Sequence, residues 1–177
     1  MIRRALIIAA VFALITQSAF AQSAVKQAKA GEVVRLTEGL TVRVTKAVKS
    51  PFANVKVAGE AFVVVLELDA GLKETALSYQ ITADAKTSEV SLTSGTQRVA
   101  PRALVEDFPS WGEDNDKEVE LITPQDKGAA SISFRKTGSV FILFDLPANQ
   151  PLAGRKLSLI LRTLKPAEEQ HSLVVTL

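Results

Sequence analysis

The chain has 177 residues, 21 of them basic and 19 acidic, with one histidine, no cysteine and nearly half of its residues apolar. Losing Arg3 and Arg4 with an N-terminal leader takes the basic count from 21 to 19 against 19 acids, so no basic surplus remains and no nucleic-acid partner is expected. The missing thiols exclude disulfide staples, a thiol nucleophile and a lipid-bearing cysteine, which leaves stability to the core.

Arg3 and Arg4, the apolar run 5–15 and the small residues Ala19 and Ala21 around Phe20 read as a signal peptide over residues 1–21, cleaved before Gln22. The apolar run is about half of the roughly 20 helical residues a bilayer needs, so no membrane span is expected after cleavage. Residues 22–31, polar and alanine-rich, read as a flexible lead-in, and 32–177 as one domain. Residues 32–36 suggest a short strand, and Thr37, Glu38 and Gly39 a turn. Leu40, Val42, Val44 and Val48 alternate with Thr41, Arg43 and Thr45, the pattern of a strand with one wet face.

The stretch 59–69 is the first of two central strands. Phe62, Val64, Leu66 and Leu68 form one apolar face, and Ala61, Val63 and Val65 begin the other before Glu67 and Asp69 make it polar. Its three consecutive valines are stiff in a helix and suit a pleated sheet. Leu77, Tyr79, Ile81 and Ala83 then alternate as a half-buried strand, and Val90 and Leu92 mark a short one before a turn at Gly95. Residues 99–125, with Pro101, Pro109, Pro124 and the only tryptophan, read as an irregular excursion in which 119–122 forms a short strand. The second central strand, 139–146, places Val140, Ile142, Phe144 and Leu146 on its apolar face. Leu157, Leu159 and Leu161, then Leu173, Val175 and Leu177, complete an all-β pattern of roughly nine or ten short strands, an antiparallel immunoglobulin-like β-sandwich.

The order of these elements carries a resemblance. A leader is followed by the strand at 40–48 and by Gly59 ahead of Phe62-Val63-Val64-Val65. Late in the chain Thr137-Gly138-Ser139-Val140-Phe141 runs on through Ile142 to Pro147, and Leu157–Leu161 follows. This resembles a bacterial family of exported immunoglobulin-like domains of unknown function, to which the immunoprotective extracellular protein of mycobacteria is related. The resemblance spans roughly residues 33–163 and implies a sandwich outside the cytoplasm, with no catalytic residue carried over. The excursion at 99–125 has no counterpart in that pattern.

Candidate chemistry is sparse. His171 is the single histidine, beside Glu168, Glu169 and Gln170, and reads as an exposed turn residue. No Gly-x-Ser-x-Gly elbow accompanies it, and zinc wants several His or Cys ligands, so no catalytic residue, cofactor or metal is expected. Glu113, Asp114, Asp116 and Glu118 offer oxygens that calcium accepts, without the glycine a helix–loop–helix calcium site requires. Asp107 and Glu113 are carboxylates of the type used in glycoside hydrolysis, but carboxylates in one loop are commonplace. Phe108 and Trp111 either cover the open end of the sandwich or reach a ligand.

Val63, Val65, Phe141 and Leu143 point away from the main core and form a second apolar patch, which the excursion or another chain must cover. The expected function is a non-enzymatic exported domain. It binds a protein or cell-envelope component through that sheet face and the 99–125 loop. The alternative is a small-ligand, glycan or calcium-binding module using 108–118. No oligomeric state follows from the pattern.

Overall fold

The computed structural model describes residues 24–45, 48–49, 60–107, 121–123, 129–135, 137–147, 149–165 and 167–177. The expected leader lies outside them. Among the described residues there are fourteen strands and no helix, arranged as two seven-stranded sheets. The all-β sandwich is therefore the architecture. Its strand count exceeds the nine or ten read from the pattern because several strands are short and edge-lying, with too few side chains for an alternation to register.

The second sheet is built on the two strands legible from their alternation. β5 (Glu60–Asp69) and β12 (Thr137–Leu146) pair antiparallel over ten residues, with Val64 opposite Ile142 and Phe62 opposite Phe144. Outside β5 lie β3 (Leu40–Val44) with β2 (Val33–Thr37) beyond it, and β4 (Val48–Lys49). Outside β12 lie β9 (Ala103–Asp107) and β10 (Leu121–Ile122).

The first sheet runs β1 (Lys26–Lys29), β14 (Glu169–Thr176), β13 (Lys156–Lys165), β6 (Thr75–Gln80), β11 (Ala129–Phe134). β7 (Val90–Ser94) shares the β6 edge of β13 and carries β8 (Gln97–Val99) beyond it.

The facing sides of the sheets make the main core. From the second sheet, Leu40, Val42, Leu66, Leu68, Ile142 and Phe144 are buried against Leu77, Tyr79, Leu92, Leu157, Leu159, Leu161 and Leu173 from the first. Each such side chain contributes roughly 1.5–3 kcal/mol on leaving water.

Three expectations change. Residues 26–29, within the expected flexible lead-in, form β1, which pairs parallel with β14 from Lys26–Leu173 to Lys29–Thr176. Its lysines and glutamine give no apolar alternation, since backbone hydrogen bonds and Ala28 packed on the core hold it. Residues 103–107, within the expected irregular excursion, form β9 against β12, with Leu104 in the main core. Pro101 ahead of them and Glu106 and Asp107 within them hide the strand in the sequence.

The third change is β6, which ends at Gln80 and is buried on both faces rather than one; Ala83 is exposed. Ala76 and Ser78 are small residues on its outer side, where Ser78 lies opposite Arg162 of β13. On neighbouring β7, Ser91 Oγ accepts from Arg98 Nε at 2.8 Å.

A second, smaller cluster lies on the other side of the second sheet. Val63, Leu143 and Ala103 sit in one row across β5, β12 and β9 and are fully buried, with Val65 and Phe141 half-buried against them. A one-residue alternation separates these side chains from the core partners Val64, Ile142 and Leu104, so the sheet is apolar on both sides at its centre.

Candidate binding site

Beyond Leu143, β12 places its next outward side chain, Asp145, at the margin of the second cluster. The chain crosses from the first sheet to the second immediately beside it, through Ala100, Pro101 and Arg102 between β8 and β9. Arg102 is set in place by its backbone N–H, which donates to the Leu143 carbonyl at 2.7 Å. These segments and the β6–β7 connection enclose an open cavity of about 460 Å³. Arg98, Arg102 and Asp145 supply its charged wall, and Ala83, Ala85, Val99, Ala100 and Pro101 its small apolar one.

The charged groups are differently held. Arg98 is tied down through Nε to Ser91 Oγ and through Nη2 to the Ser88 carbonyl at 3.2 Å. Arg102 Nε stands 3.9 Å from Asp145 Oδ2, an ion pair beyond hydrogen-bond length. Asp145 Oδ1 is buried and has no hydrogen-bond partner. Burial pushes the Asp145 carboxyl above the usual aspartate range, partly offset by the nearby Arg102 guanidinium.

Two other cavities carry less chemistry. One of about 360 Å³ between Gly31, Leu152 and Leu177 has Arg43 as its one charged lining residue. That guanidinium is already paired with Glu67, Nε donating to Oε2 at 2.7 Å. The other, about 270 Å³, is lined by the same Arg43–Glu67 pair with Asp69.

His171 is not an exposed turn residue. It lies in β14 opposite Leu161 and is 3% exposed, continuing inward the alternation of Leu173 and Val175. Its Nε2 is 3.2 Å from Thr163 Oγ1 and 3.6 Å from Glu169 Oε2, and Nδ1 is buried without a partner. Thr163 Oγ1 also reaches the Glu169 carbonyl at 3.4 Å. Both bonds form when Nε2–H donates to Thr163 and the Thr163 hydroxyl donates to the Glu169 carbonyl, which leaves Nδ1 as an unpaired buried acceptor. Hydroxyl and carboxylate thus meet one ring nitrogen, whereas nucleophile activation sets the orienting acid on the opposite one.

Burial holds the His171 imidazole below its usual 6.5; Glu169 opposes this shift and Lys26 of β1 adds to it. A lowered folded-state value means that the unfolded chain binds more protons just below 6.5, so the stability supplied by neutral His171 is complete above that pH. It is lost as pH falls through 6.5 towards the folded-state value. Urea midpoints should therefore fall as pH drops below 6.5, and His171→Gln should flatten that slope. An equal slope in both proteins would remove His171 as its source.

The residues singled out from sequence divide. Val63, Val65, Phe141 and Leu143 do share one face, but Val63 and Leu143 are 0% exposed and present no surface to a partner. Phe108, Trp111, Asp114 and Asp116 lie outside the described residues, as does Glu113. Among the described residues no three His, Asp or Glu side chains gather closely enough to hold a metal ion. No helix there is long and apolar enough to cross a membrane.

Arg98, Arg102 and Asp145 were not singled out. The available signals were a lone acid interrupting the run Phe141–Leu146 on its outward side and two arginines flanking the proline corner at 101.

No protein-family model matches the chain, and no curated protein sequence does. Among solved structures, the chain is similar to MPT63, a secreted protein of Mycobacterium tuberculosis. They share 12% identity and a TM-score of 0.44, over 88% of this chain and 100% of that one. It is also similar to a family 123 glycoside hydrolase from Clostridium perfringens studied for glycolipid glycan hydrolysis. That match has 9% identity and a TM-score of 0.33, covering 68% of this chain and 22% of that one. Both are distant structural likenesses and carry no residue role or activity to this chain.

Proposed function

We propose that the chain is an exported, non-enzymatic immunoglobulin-like domain that binds a cell-envelope component or a protein outside the cytoplasm. The contact region we assign is the corner where residues 99–102 leave the first sheet. The observation supporting it is the convergence of Arg98, Arg102 and Asp145 on one open cavity. Charged groups gathered on a concave surface attract a polar ligand. Export rests on the leader-like residues 1–21.

Co-sedimentation of the mature protein with the insoluble envelope fraction of its own cells tests this reading. The wild-type protein should pellet with that fraction and Arg102→Glu, which reverses the charge of a half-exposed side chain, should stay in solution. Equal pelleting of the two, or none by the wild type, would overturn it.

A further inference from the structure

An open sheet ends in strands whose outer backbone groups can pair with another chain, and most such edges of this sandwich are blunted. β1 carries Lys26 and Lys29. In β2 the carbonyls of Arg35 and Leu36 accept from the Lys26 ammonium, the second at 3.1 Å. β8 is three residues long with Arg98 at its middle, and β4 and β10 are two residues each.

β11 has none of these devices. Its six residues, Ala-Ala-Ser-Ile-Ser-Phe, hold no charge and no proline. They pair in unbroken register with β6, without a bulge, and among the described residues β6 is their one partner strand. Ile132 is 3% exposed in the main core and Ala130 packs against it, while Ser131 and Ser133 are exposed.

An occupant of this edge needs apolar positions facing inward, small polar ones facing outward, and no charge. A second β11 supplies that pattern. Side chains directly opposite in an antiparallel pair share a face, so the pleat admits only registers that set inward positions against inward ones. In the two longest of these, Ser131 faces Ser131 or Ser133 of the second copy.

We propose that β11 pairs antiparallel with β11 of a second copy about a two-fold axis, joining the first sheets of two molecules into one continuous sheet. Ile132 is already buried in the single chain, so backbone hydrogen bonds supply most of the contact and the dimer is reversible. β11 lines no part of the corner cavity, so the pairing stands or falls independently of the binding reading.

Sedimentation equilibrium of the mature protein from about 1 μM to about 1 mM tests the pairing. The wild type should pass from monomer to dimer within that range. Two double variants, Ser131→Lys with Ser133→Lys and Ser131→Glu with Ser133→Glu, each set like charges against one another across the axis. Each should dimerise at least about tenfold more weakly than the wild type. An equimolar mixture of the two should dimerise at least as tightly as the wild type, because opposite charges then face each other. Both serines are exposed, so the unfolding midpoints of the double variants should stay close to that of the monomeric wild type.

A wild type that is monomeric throughout would overturn the proposal and leave the edge to a strand of a different protein. A dimer indifferent to both double variants would overturn it by placing self-association on another surface. Failure of the mixture to recover dimers would overturn it as well.

Discussion

Replacing Leu143 by alanine should cost about 2–5 kcal/mol of folding stability, the range for deleting a fully buried leucine side chain. Leu143 does not face the other sheet; it lies opposite Val63 and Ala103 in a row on the outer side. It is nevertheless 0% exposed, like the leucines of the main core. Losing its branch leaves a cavity beside Val63 and withdraws packing from Val65 and Phe141. Val65→Ala, at a half-buried site in the same cluster, should cost distinctly less. Urea unfolding with an unchanged m-value measures both. A Leu143→Ala midpoint indistinguishable from wild type would mean that the outer face is open to solvent.

Arg162→Leu should destabilise the fold by about 3 kcal/mol, the lower end for breaking a buried ion pair, because the pair is only partly closed to water. Arg162 Nη1 donates to Glu89 Oε1; the arginine side chain is 31% exposed and the glutamate 8%. Glu89 Oε2 already lacks a partner. Removing the guanidinium strands a carboxylate in a position that water barely reaches. Adding Glu89→Gln removes that charge, so the double variant should regain much of the loss, with a coupling of about 1–3 kcal/mol. A double-mutant cycle by denaturant unfolding reads this directly. Additive losses would show that the two residues do not act as a pair.

Side chains that obey a period of two over many residues made the central sheet legible. β5 and β12 run ten residues each, and their two faces differ by one register step, so both the main core and the outer cluster follow from one alternation. β13 and β14 are longer than expected because their polar ends continue the same pairing. His171 belongs to that continuation: positions 171, 173 and 175 are all buried, but its neighbours Glu169 and Gln170 disguise the step.

β1 could not be read from sequence, because its partner strand lies at the far end of the chain and the bonds joining them are backbone bonds. The corner cavity was hidden for a related reason. Ala83, Arg102 and Asp145 come from three separate segments, and only the pairing of β9 with β12 brings two of them to one margin. Period and composition describe single elements; a site made where elements cross depends on the tertiary arrangement.

Binding at the corner cavity is tested most directly by a map of backbone amide shifts in the mature protein as soluble envelope components are added. The account predicts that the largest shifts gather at 83–85, 98–102 and 143–146, on both sides of the corner cavity. Shifts centred on Gly31, Leu152 and Leu177 at the other cavity, or no saturable shifts anywhere, would contradict it.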